Sequence, residues 1–270
     1  MIYDCFSYLD EDLLLNLRLN ILDKYVDYFV IIEGNKTWQN NPKELKFDKN
    51  KYGKFKHKII YIKVTDLPDG EDPYLRENHQ RNSILKGLSN CKDEDVIIIS
   101  DLDEIPNPGV FNNFKKGMRF AVFKQKHFYY KFNLQSKSNP YWLGSRICLK
   151  KYLTSPQWLR DLKFKKRPFW RLDKFRLNSI IENGGWHFCN LKKPEFLLYK
   201  YKNLCETDDP VHFKEKIDEK YLNLEEIKKK ISQGEDIIGR KDTFIKVNLD
   251  DSFPKYLLNN RSIYSEWLEL

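Results

Sequence analysis

Residues 96–100, Val-Ile-Ile-Ile-Ser, form the clearest buried-strand pattern in the sequence, and the pattern ends abruptly at Asp101-Leu102-Asp103. Consecutive β-branched residues favour a strand that is covered on both faces. Comparable strand patterns cover residues 2–6, 26–32 and 59–64, and apolar residues at helical spacing cover 13–22 and 75–88. Strands that alternate with helices predict an α/β fold with a mixed, mostly parallel central sheet flanked by helices.

The polar residues that follow these strands predict the position of a site, because ligands of such sheets bind beyond the carboxyl ends of the strands. Asp101 and Asp103 should face the same side, since side chains alternate along extended backbone. Carboxylates that lie close together repel each other, and a hard divalent cation relieves the repulsion. The pair therefore predicts a Mn²⁺ or Mg²⁺ site that binds phosphate oxygens and neutralises a departing nucleoside diphosphate. A turn before Pro106 is the structural alternative.

A second cluster is Gly184-Gly185-Trp186-His187-Phe188. Gly185 would let the backbone approach a ligand closely, and Trp186 offers an apolar face to a sugar ring. His187 is the predicted third metal ligand beside Asp101 and Asp103. The alternative is a buried histidine that is hydrogen-bonded within the core.

Three further residues complete the predicted cofactor-binding set. Glu33, at the end of strand 26–32, could accept hydrogen bonds from a nucleobase or a ribose. Arg81 could pair with a diphosphate, because its planar fork matches phosphate oxygens, and Asn82 beside it is assigned to the same set. A turn-capping role remains open for Glu33, and a helix-surface role remains open for Arg81.

Composition sets limits on the class of protein. The net charge of +9, with 41% hydrophobic and 15% aromatic residues, suits a globular protein that handles anions. No nucleic-acid-binding motif accompanies the charge, so no nucleic acid partner is expected. The five cysteines lack a CxxC pair and predict neither a zinc site nor disulfides. No leader or membrane-spanning run is visible, which predicts a cytoplasmic protein or a soluble catalytic part that has been separated from an anchor.

The rest of the chain predicts one domain over residues 1–270, with a helical C-terminal extension from about residue 195. An amphipathic helix is expected at 222–231, followed by a turn at 253–257 that packs the C-terminus back on the domain. Residues 163–176 are basic and aromatic, which suits an acidic acceptor or peripheral contact with a membrane, or simply a solvated face.

Several ordered stretches resemble glycosyltransferase family 17. They are Ile-Tyr-Asp-Cys-Phe at 2–6, Leu-Leu-Asn-Leu-Arg-Leu-Asn at 14–20, residues 26–33, Gln-Arg-Asn at 80–82, Ile-Ile-Ser-Asp-Leu-Asp-Glu-Ile-Pro at 98–106 and Gly-Trp-His-Phe at 185–188. This resemblance implies a GT-A fold, a UDP-sugar donor with N-acetylglucosamine as the expected sugar, Mn²⁺ or Mg²⁺, inversion at the anomeric carbon and a glycan acceptor. Because the matching stretches begin at residue 2, the resemblance predicts a soluble bacterial or viral member of the family.

A single in-line displacement is the predicted reaction, with a carboxylate that removes the proton from an acceptor hydroxyl. Glu182, just before the Gly184-Gly185 turn, is the first choice for this base, and Glu104 and Asp209 remain open. A non-catalytic glycan-binding module and a metal-dependent phosphotransferase or nuclease are the alternative functions. A glycan-binding module would not need a carboxylate pair at a strand end. A phosphotransferase or nuclease would favour more acidic ligands close together, or a glycine-rich phosphate loop.

Overall fold

The computed structural model describes residues 1–115, 117–163, 179–212 and 216–269, and within them eleven strands join one sheet. The strands are β1 (Ile2–Ser7), β2 (Tyr28–Gly34), β3 (Ile59–Val64), β4 (Val96–Ser100), β5 (Glu104–Pro106), β6 (Phe120–Tyr129), β7 (Leu134–Ser136), β8 (Tyr141–Leu149), β9 (Ile180–Ile181), β10 (Gly185–Cys189) and β11 (Phe244–Lys246). The helices are α1 (Asp12–Leu22), α2 (Pro73–Asn82), α3 (Ile84–Gly87), α4 (Pro156–Asp161), α5 (Pro194–Tyr201), α6 (Leu224–Ser232) and α7 (Lys255–Asn259), with five short 3₁₀ helices among the described residues.

The N-terminal half of the sheet is parallel, in the order β3-β2-β1-β4. Its four strands were all predicted from their apolar patterns, and the structure confirms them. Strand β2 explains why the patterns are continuous: Phe29 and Ile31 pack into one core with α1, whereas Val30 and Ile32 pack into a second core on the opposite face with α3. Both faces of these strands are therefore covered, as α/β packing requires.

The remaining strands correct the expectation of a mostly parallel sheet. Strand β8 pairs antiparallel with β4, and β6 and β7 continue the sheet antiparallel to the edge strand β11. Strand β10 runs parallel to β6 and antiparallel to β5, and β9 pairs parallel with β6. Among the described strands, five pairs are parallel and five are antiparallel. The fold is therefore α/β with a truly mixed sheet.

The helix predicted at 75–88 is interrupted in the structure. Helix α2 begins after Asp72, whose side chain accepts from the backbone N–H of Tyr74, and Pro73 stands at its first position. At Ser83 the hydroxyl donates to the carbonyl of His79, and α3 starts afterwards. A serine that bonds the preceding turn competes with the helical hydrogen-bond ladder, which accounts for the break.

The C-terminal part is only partly helical. Helix α6 lies where the amphipathic pattern placed it, capped by Asn223 and packed through the buried Ile227. Strand β11 contributes to the sheet, which the sequence did not predict. The chain then returns to the main core, because Phe253 and Tyr264 are buried there.

Gly185 lies too close to the backbone of β5 for any side chain to fit. It adopts φ +125°, and an added Cβ would lie 2.2 Å from the carbonyl oxygen of Ile105 and 2.7 Å from the backbone nitrogen of Asn107. Gly185→Ala should lower the free energy of unfolding by about 2–4 kcal/mol, through backbone strain and overpacking. Gly53→Ala is the control, because no atom of the described residues lies within 4 Å of a Cβ added there. Urea denaturation measures both, and equal stability of the two variants would contradict the prediction.

Candidate active site

A cleft of about 310 Å³ opens at the carboxyl ends of β1 and β4. One part of its wall is formed by residues 101–104, which follow β4. Helices α2 and α5 and strand β10 form other parts of the wall. The described lining includes Tyr8, Lys36, Trp38, Lys43, Glu77, Asp101, Asp103, Glu104, Tyr129, Trp142, His187, Cys189, Lys200, Glu206 and Arg240. The predicted metal residues are therefore brought together at the predicted edge of the sheet.

Asp101 is neutralised by two arginines. Its Oδ2 lies 2.8 Å from Nη2 of Arg160, and its Oδ1 lies 3.3 Å from Nη2 of Arg81. Burial alone would raise the pKa of Asp101, but Arg160 and Arg81 hold it well below its usual value. Asp101 is thus a carboxylate at every ordinary pH.

Asp103 faces a different set of groups. Its Oδ1 lies 3.5 Å from Nε2 of His187, and its backbone carbonyl accepts from the N–H of Phe188, which fixes the loop against β10. Burial opposes ionisation, but the contacts with His187 and the charge of Lys200 lower the pKa of Asp103. Two cationic partners from β10 and α5 therefore hold this carboxylate in its charged form.

The acidic loop, residues 101–104, is anchored by Arg18 of α1. The guanidinium of Arg18 makes a two-pronged ion pair with Asp4, at 2.8 and 2.6 Å, and both side chains are fully buried. Its Nη1 also donates to the backbone carbonyls of Asp101, Leu102 and Glu104. The loop that presents the carboxylates is therefore held by one buried guanidinium. The sequence carries a trace of this role, because Arg18 lies on the apolar helical stripe between Leu14 and Leu22.

Glu104, one of the predicted bases, lines the cleft but has no free lone pair to offer. Its Oε1 accepts from the indole N–H of Trp142 and from Arg160, and its Oε2 accepts from Arg160 and the backbone N–H of Asp101. Its side chain is 1% exposed. A carboxylate with these four contacts is suited to positioning Arg160, and its oxygens already face protein donors.

His187 belongs to a cluster that the sequence did not reveal. Its ring stacks on that of His127 at 4.7 Å between centroids, and its Nε2 lies 3.1 Å from Sγ of Cys189. Burial lowers the pKa of His127 to about 4, with the neighbouring His187 as a further cause. Burial would also lower the pKa of His187, but Cys189 and Asp103 raise it well above its usual value. The donor atoms of His127, His187 and Cys189 all lie within 4.8 Å of one another.

A divalent cation fits this site in part. Asp103 and His187 offer a carboxylate oxygen and an imidazole nitrogen at one point of the cleft wall. Asp101 already has an arginine on each oxygen, so it would reach an ion only by giving up one of these contacts. Its side chain is 43% exposed, which leaves an open edge toward the cleft.

Two of the predicted cofactor-binding residues have structural partners instead. The carboxylate of Glu33 is fully buried and accepts from Lys43, from Tyr61 and from the backbone N–H groups of Lys46 and Phe47, so no lone pair is left for a ribose or a base. The side-chain oxygen of Asn82 accepts from the backbone N–H of Gln157. Neither residue lines the cleft, whereas Arg81 reaches it through Asp101.

Gly185 and Trp186 also face away from the cleft. They line a second cavity of about 740 Å³, and the indole N–H of Trp186 donates to the backbone carbonyl of Ser252. Gly185 approaches the backbone of β5 and not a ligand in the cleft. The sequence predicted that the backbone at Gly185 approaches a ligand closely. The close approach is present, but it is to the neighbouring strand β5.

The other two predicted bases lie outside the cleft lining. Glu182 is 66% exposed and pairs with Lys124, which lines the second cavity. Asp209 is buried, and its Oδ1 accepts from the backbone N–H of His212. A carboxylate that does line the cleft is Glu77 of α2, whose Oε1 lies 2.7 Å from Nη2 of Arg81. Arg81 thus contacts Glu77 and Asp101 with the same nitrogen.

Most of the basic stretch at 163–176 lies outside the described residues, so its predicted roles stay predictions. Among the residues that are described, no helix has the length and apolar character needed to cross a membrane.

Comparison with known proteins gives the family. Residues 1–241 match the model of glycosyltransferase family 17. The beta-1,4-mannosyl-glycoprotein 4-beta-N-acetylglucosaminyltransferases of Rattus norvegicus and Mus musculus are each 26% identical to this chain over an alignment of 286 residues. Each alignment covers 95% of this chain and 52% of the relative. The Homo sapiens protein is 26% identical over 277 residues, or 92% of this chain and 51% of its own. The chain spans about half the length of these relatives. Because the family model matches most of its residues, the chain belongs to glycosyltransferase family 17.

Proposed function

We propose that this chain is an inverting glycosyltransferase that moves N-acetylglucosamine from UDP-N-acetylglucosamine to a hydroxyl group of a glycan. The observation that carries the proposal is the placement of Asp101 and Asp103 after β4, on the wall of a 310 Å³ cleft, in a chain of family 17. The mixed sheet with a parallel N-terminal half is consistent with a GT-A type of nucleotide-sugar-binding fold.

The charges around the cleft support a diphosphate donor. Lys36, Lys43 and Lys200 line it. Arg81 and Arg160 lie behind Asp101 as its ion-pair partners. Guanidinium groups match phosphate oxygens well, so both arginines can turn from Asp101 to the diphosphate when the donor binds.

Aromatic side chains supply surfaces for the uncharged parts of the donor. Tyr8, Trp38, Tyr129 and Trp142 all line the cleft. Flat aromatic faces suit both a nucleobase and the apolar face of a sugar ring. We assign Glu33 and Asn82 no contact with the donor, because neither lines the cleft, the carboxylate of Glu33 is held by its own hydrogen bonds, and the side-chain oxygen of Asn82 accepts from Gln157.

Asp103 and His187 would hold the Mn²⁺ or Mg²⁺ ion, and Asp101 would join them once an arginine has moved to the diphosphate. When bound, the ion would neutralise negative charge that builds on the leaving UDP. Lys200, whose pKa the charge of Asp103 raises against the effect of burial, adds a further positive charge at the same wall.

In the proposed reaction, the acceptor oxygen forms a bond to the anomeric carbon as the bond from that carbon to the β-phosphate oxygen breaks. The bonding electron pair leaves with UDP, and the proton of the acceptor hydroxyl passes to a carboxylate. The transition state has oxocarbenium character, as in other displacements at glycosidic carbon. We place the base at Glu77, since it lines the cleft and, among the described residues, its Oε2 is contacted by the thiol of Cys205, at 3.7 Å.

The related enzymes are named for transfer to a beta-1,4-mannosyl glycoprotein. Since this chain matches about half of their length, we carry over the transferred sugar and the glycan class of acceptor. The linkage is left to acceptor screening.

Calorimetric titration tests the donor site. UDP and UDP-N-acetylglucosamine should bind the wild-type protein in the presence of Mg²⁺ and at least tenfold more weakly without it, because the carboxylates repel the diphosphate. Asp103→Asn should lose this dependence on Mg²⁺. Asp66→Asn is the control, since Asp66 is an exposed carboxylate paired with Lys86 outside the cleft lining.

Binding that is indifferent to both Mg²⁺ and Asp103→Asn would remove the metal from the proposal. If UDP binds but UDP-N-acetylglucosamine does not, the nucleotide site stands and a different donor sugar has to be proposed. Release of UDP that depends on added acceptor would exclude a glycan-binding module.

A further inference from the structure

We propose that Cys189, His127, His187 and Asp103 form a thiolate-containing site for Zn²⁺ in the wall of the cleft. This site goes beyond the hard-metal donor site, and its existence does not depend on the proposed transfer reaction. It would also correct the expectation from cysteine spacing that the chain has no zinc site.

The distances suit one tetrahedral ion. Nε2 of His187 lies 3.1 Å from Sγ of Cys189 and 3.5 Å from Oδ1 of Asp103. The donor atoms of His127, His187 and Cys189 lie within 4.8 Å of one another. Tetrahedral ligands at about 2.0–2.3 Å from Zn²⁺ are separated by roughly 3.3–3.8 Å, so only small side-chain movements are needed to close the set around an ion.

The orientation of His127 favours a ligand role. Its Nδ1 lies 3.1 Å from the backbone carbonyl of Asn139, which can only accept, so the bond places the proton on Nδ1. The lone pair is then on Nε2, a buried atom without a hydrogen-bond partner among the described residues. Histidines that bind metals commonly donate their other ring nitrogen to a carbonyl in this way. A buried acceptor without a partner is costly unless something occupies it.

The chemistry of the set separates it from a magnesium site. A thiolate and two imidazoles are soft or borderline donors, which favour Zn²⁺ and Co²⁺ over Mg²⁺ and Mn²⁺. On binding, the protonated His187 and the thiol of Cys189 would each release one proton to solvent, so that His187 coordinates as the neutral imidazole and Cys189 as the thiolate. The side chain of Asp103 is 16% exposed, so an ion can enter from the cleft, while the indole of Trp142 packs beside both imidazole rings.

The site shares Asp103 and His187 with the proposed donor metal. If the proposed function holds, Zn²⁺ bound by the cluster would occupy both residues, and the chain would be inhibited by Zn²⁺ in competition with Mg²⁺. This consequence rests on the proposed function, whereas the zinc site itself does not.

Cobalt spectroscopy tests the site directly. The chelator-treated full chain is titrated with Co²⁺, which reports a thiolate ligand through a charge-transfer band in the near ultraviolet. We expect the band to saturate at one Co²⁺ per chain and to disappear on addition of Zn²⁺. Cys189→Ser should abolish it, and His127→Gln should weaken Co²⁺ binding about tenfold or more. Cys91→Ser is the matched control, because Cys91 is also partly exposed but packs against the core cluster that contains Ile84 and Leu88.

The absence of the band in the wild-type chain, or its persistence in Cys189→Ser, would overturn the proposal. Circular dichroism of each variant establishes that the fold is retained. If Cys189→Ser does not fold, zinc titration of His127→Gln, followed by calorimetry, decides the same question, since unchanged affinity would overturn the site. Titration of UDP with Mg²⁺ on Cys189→Ser reports separately on the donor site, so the failure of one proposal is distinguishable from the failure of the other.

Discussion

Replacement of Arg18 by Met is expected to lower the free energy of unfolding by about 3–5 kcal/mol, the cost of leaving one partner of a buried ion pair alone. The variant leaves the carboxylate of Asp4 unpaired in a fully buried position. It also removes the donor to the carbonyls of Asp101, Leu102 and Glu104. Denaturation in urea, followed by circular dichroism, measures the loss.

Two further variants sharpen this result. Arg261→Met changes an exposed arginine whose contact is a 3.5 Å hydrogen bond to Leu249, and its stability should stay within about 0.5 kcal/mol of the wild type. The double variant Asp4→Leu/Arg18→Met removes the unpaired charge and should recover part of the stability. A loss below about 1 kcal/mol in Arg18→Met would show that the loop after β4 does not depend on this guanidinium.

Replacement of Glu77 by Gln should reduce the rate of transfer by about 10²–10⁴-fold, the usual contribution of a positioned general base. The amide keeps the shape of the side chain and can still accept from Arg81, but it cannot take a proton from the acceptor. Binding of UDP in the presence of Mg²⁺ should therefore remain near the wild-type affinity. Release of UDP from UDP-N-acetylglucosamine in the presence of acceptor measures the rate.

Glu182→Gln is the matched control, because it makes the same chemical change at an exposed residue outside the cleft lining. It should retain activity within about twofold of the wild type. The opposite pattern, with loss at Glu182 and none at Glu77, would restore the base that sequence position alone favoured. It would also require the acceptor to bind on the side of the second cavity.

The candidate site was only partly predictable. The placement of Asp101, Asp103 and His187 at one cleft could be predicted, because a strand that ends in acidic residues and a glycine-rich turn are local patterns. Glu33 and Gly185 carried equally good local patterns, yet the structure gives them contacts within the protein. A single sequence shows that a polar or flexible residue follows a strand, but not whether its hydrogen bonds are already satisfied.

The residues that complete the cleft come from distant parts of the chain. Arg160 is 56 residues from Glu104, and Arg18 is 83 residues from Asp101. His127 meets His187 because β6 and β10 are paired. Contacts of this kind arise from the packing of whole strands and helices. The hydrophobic periodicity of a strand or helix predicts that element but not the distant residues that it contacts.

Local patterns in the amino-acid sequence were enough to predict the strands β1 to β4, the helix α1 and the position of the carboxylates after β4. These features follow from local periodicity and from the burial of β-branched residues. Three features became visible only in the folded chain: half of the described strand pairs are antiparallel, Arg18 holds the acidic loop, and two histidines and a cysteine meet beside Asp103. Local patterns do not record these features, because hydrogen bonding and charge pairing depend on which distant groups packing brings within about 3 Å of each other.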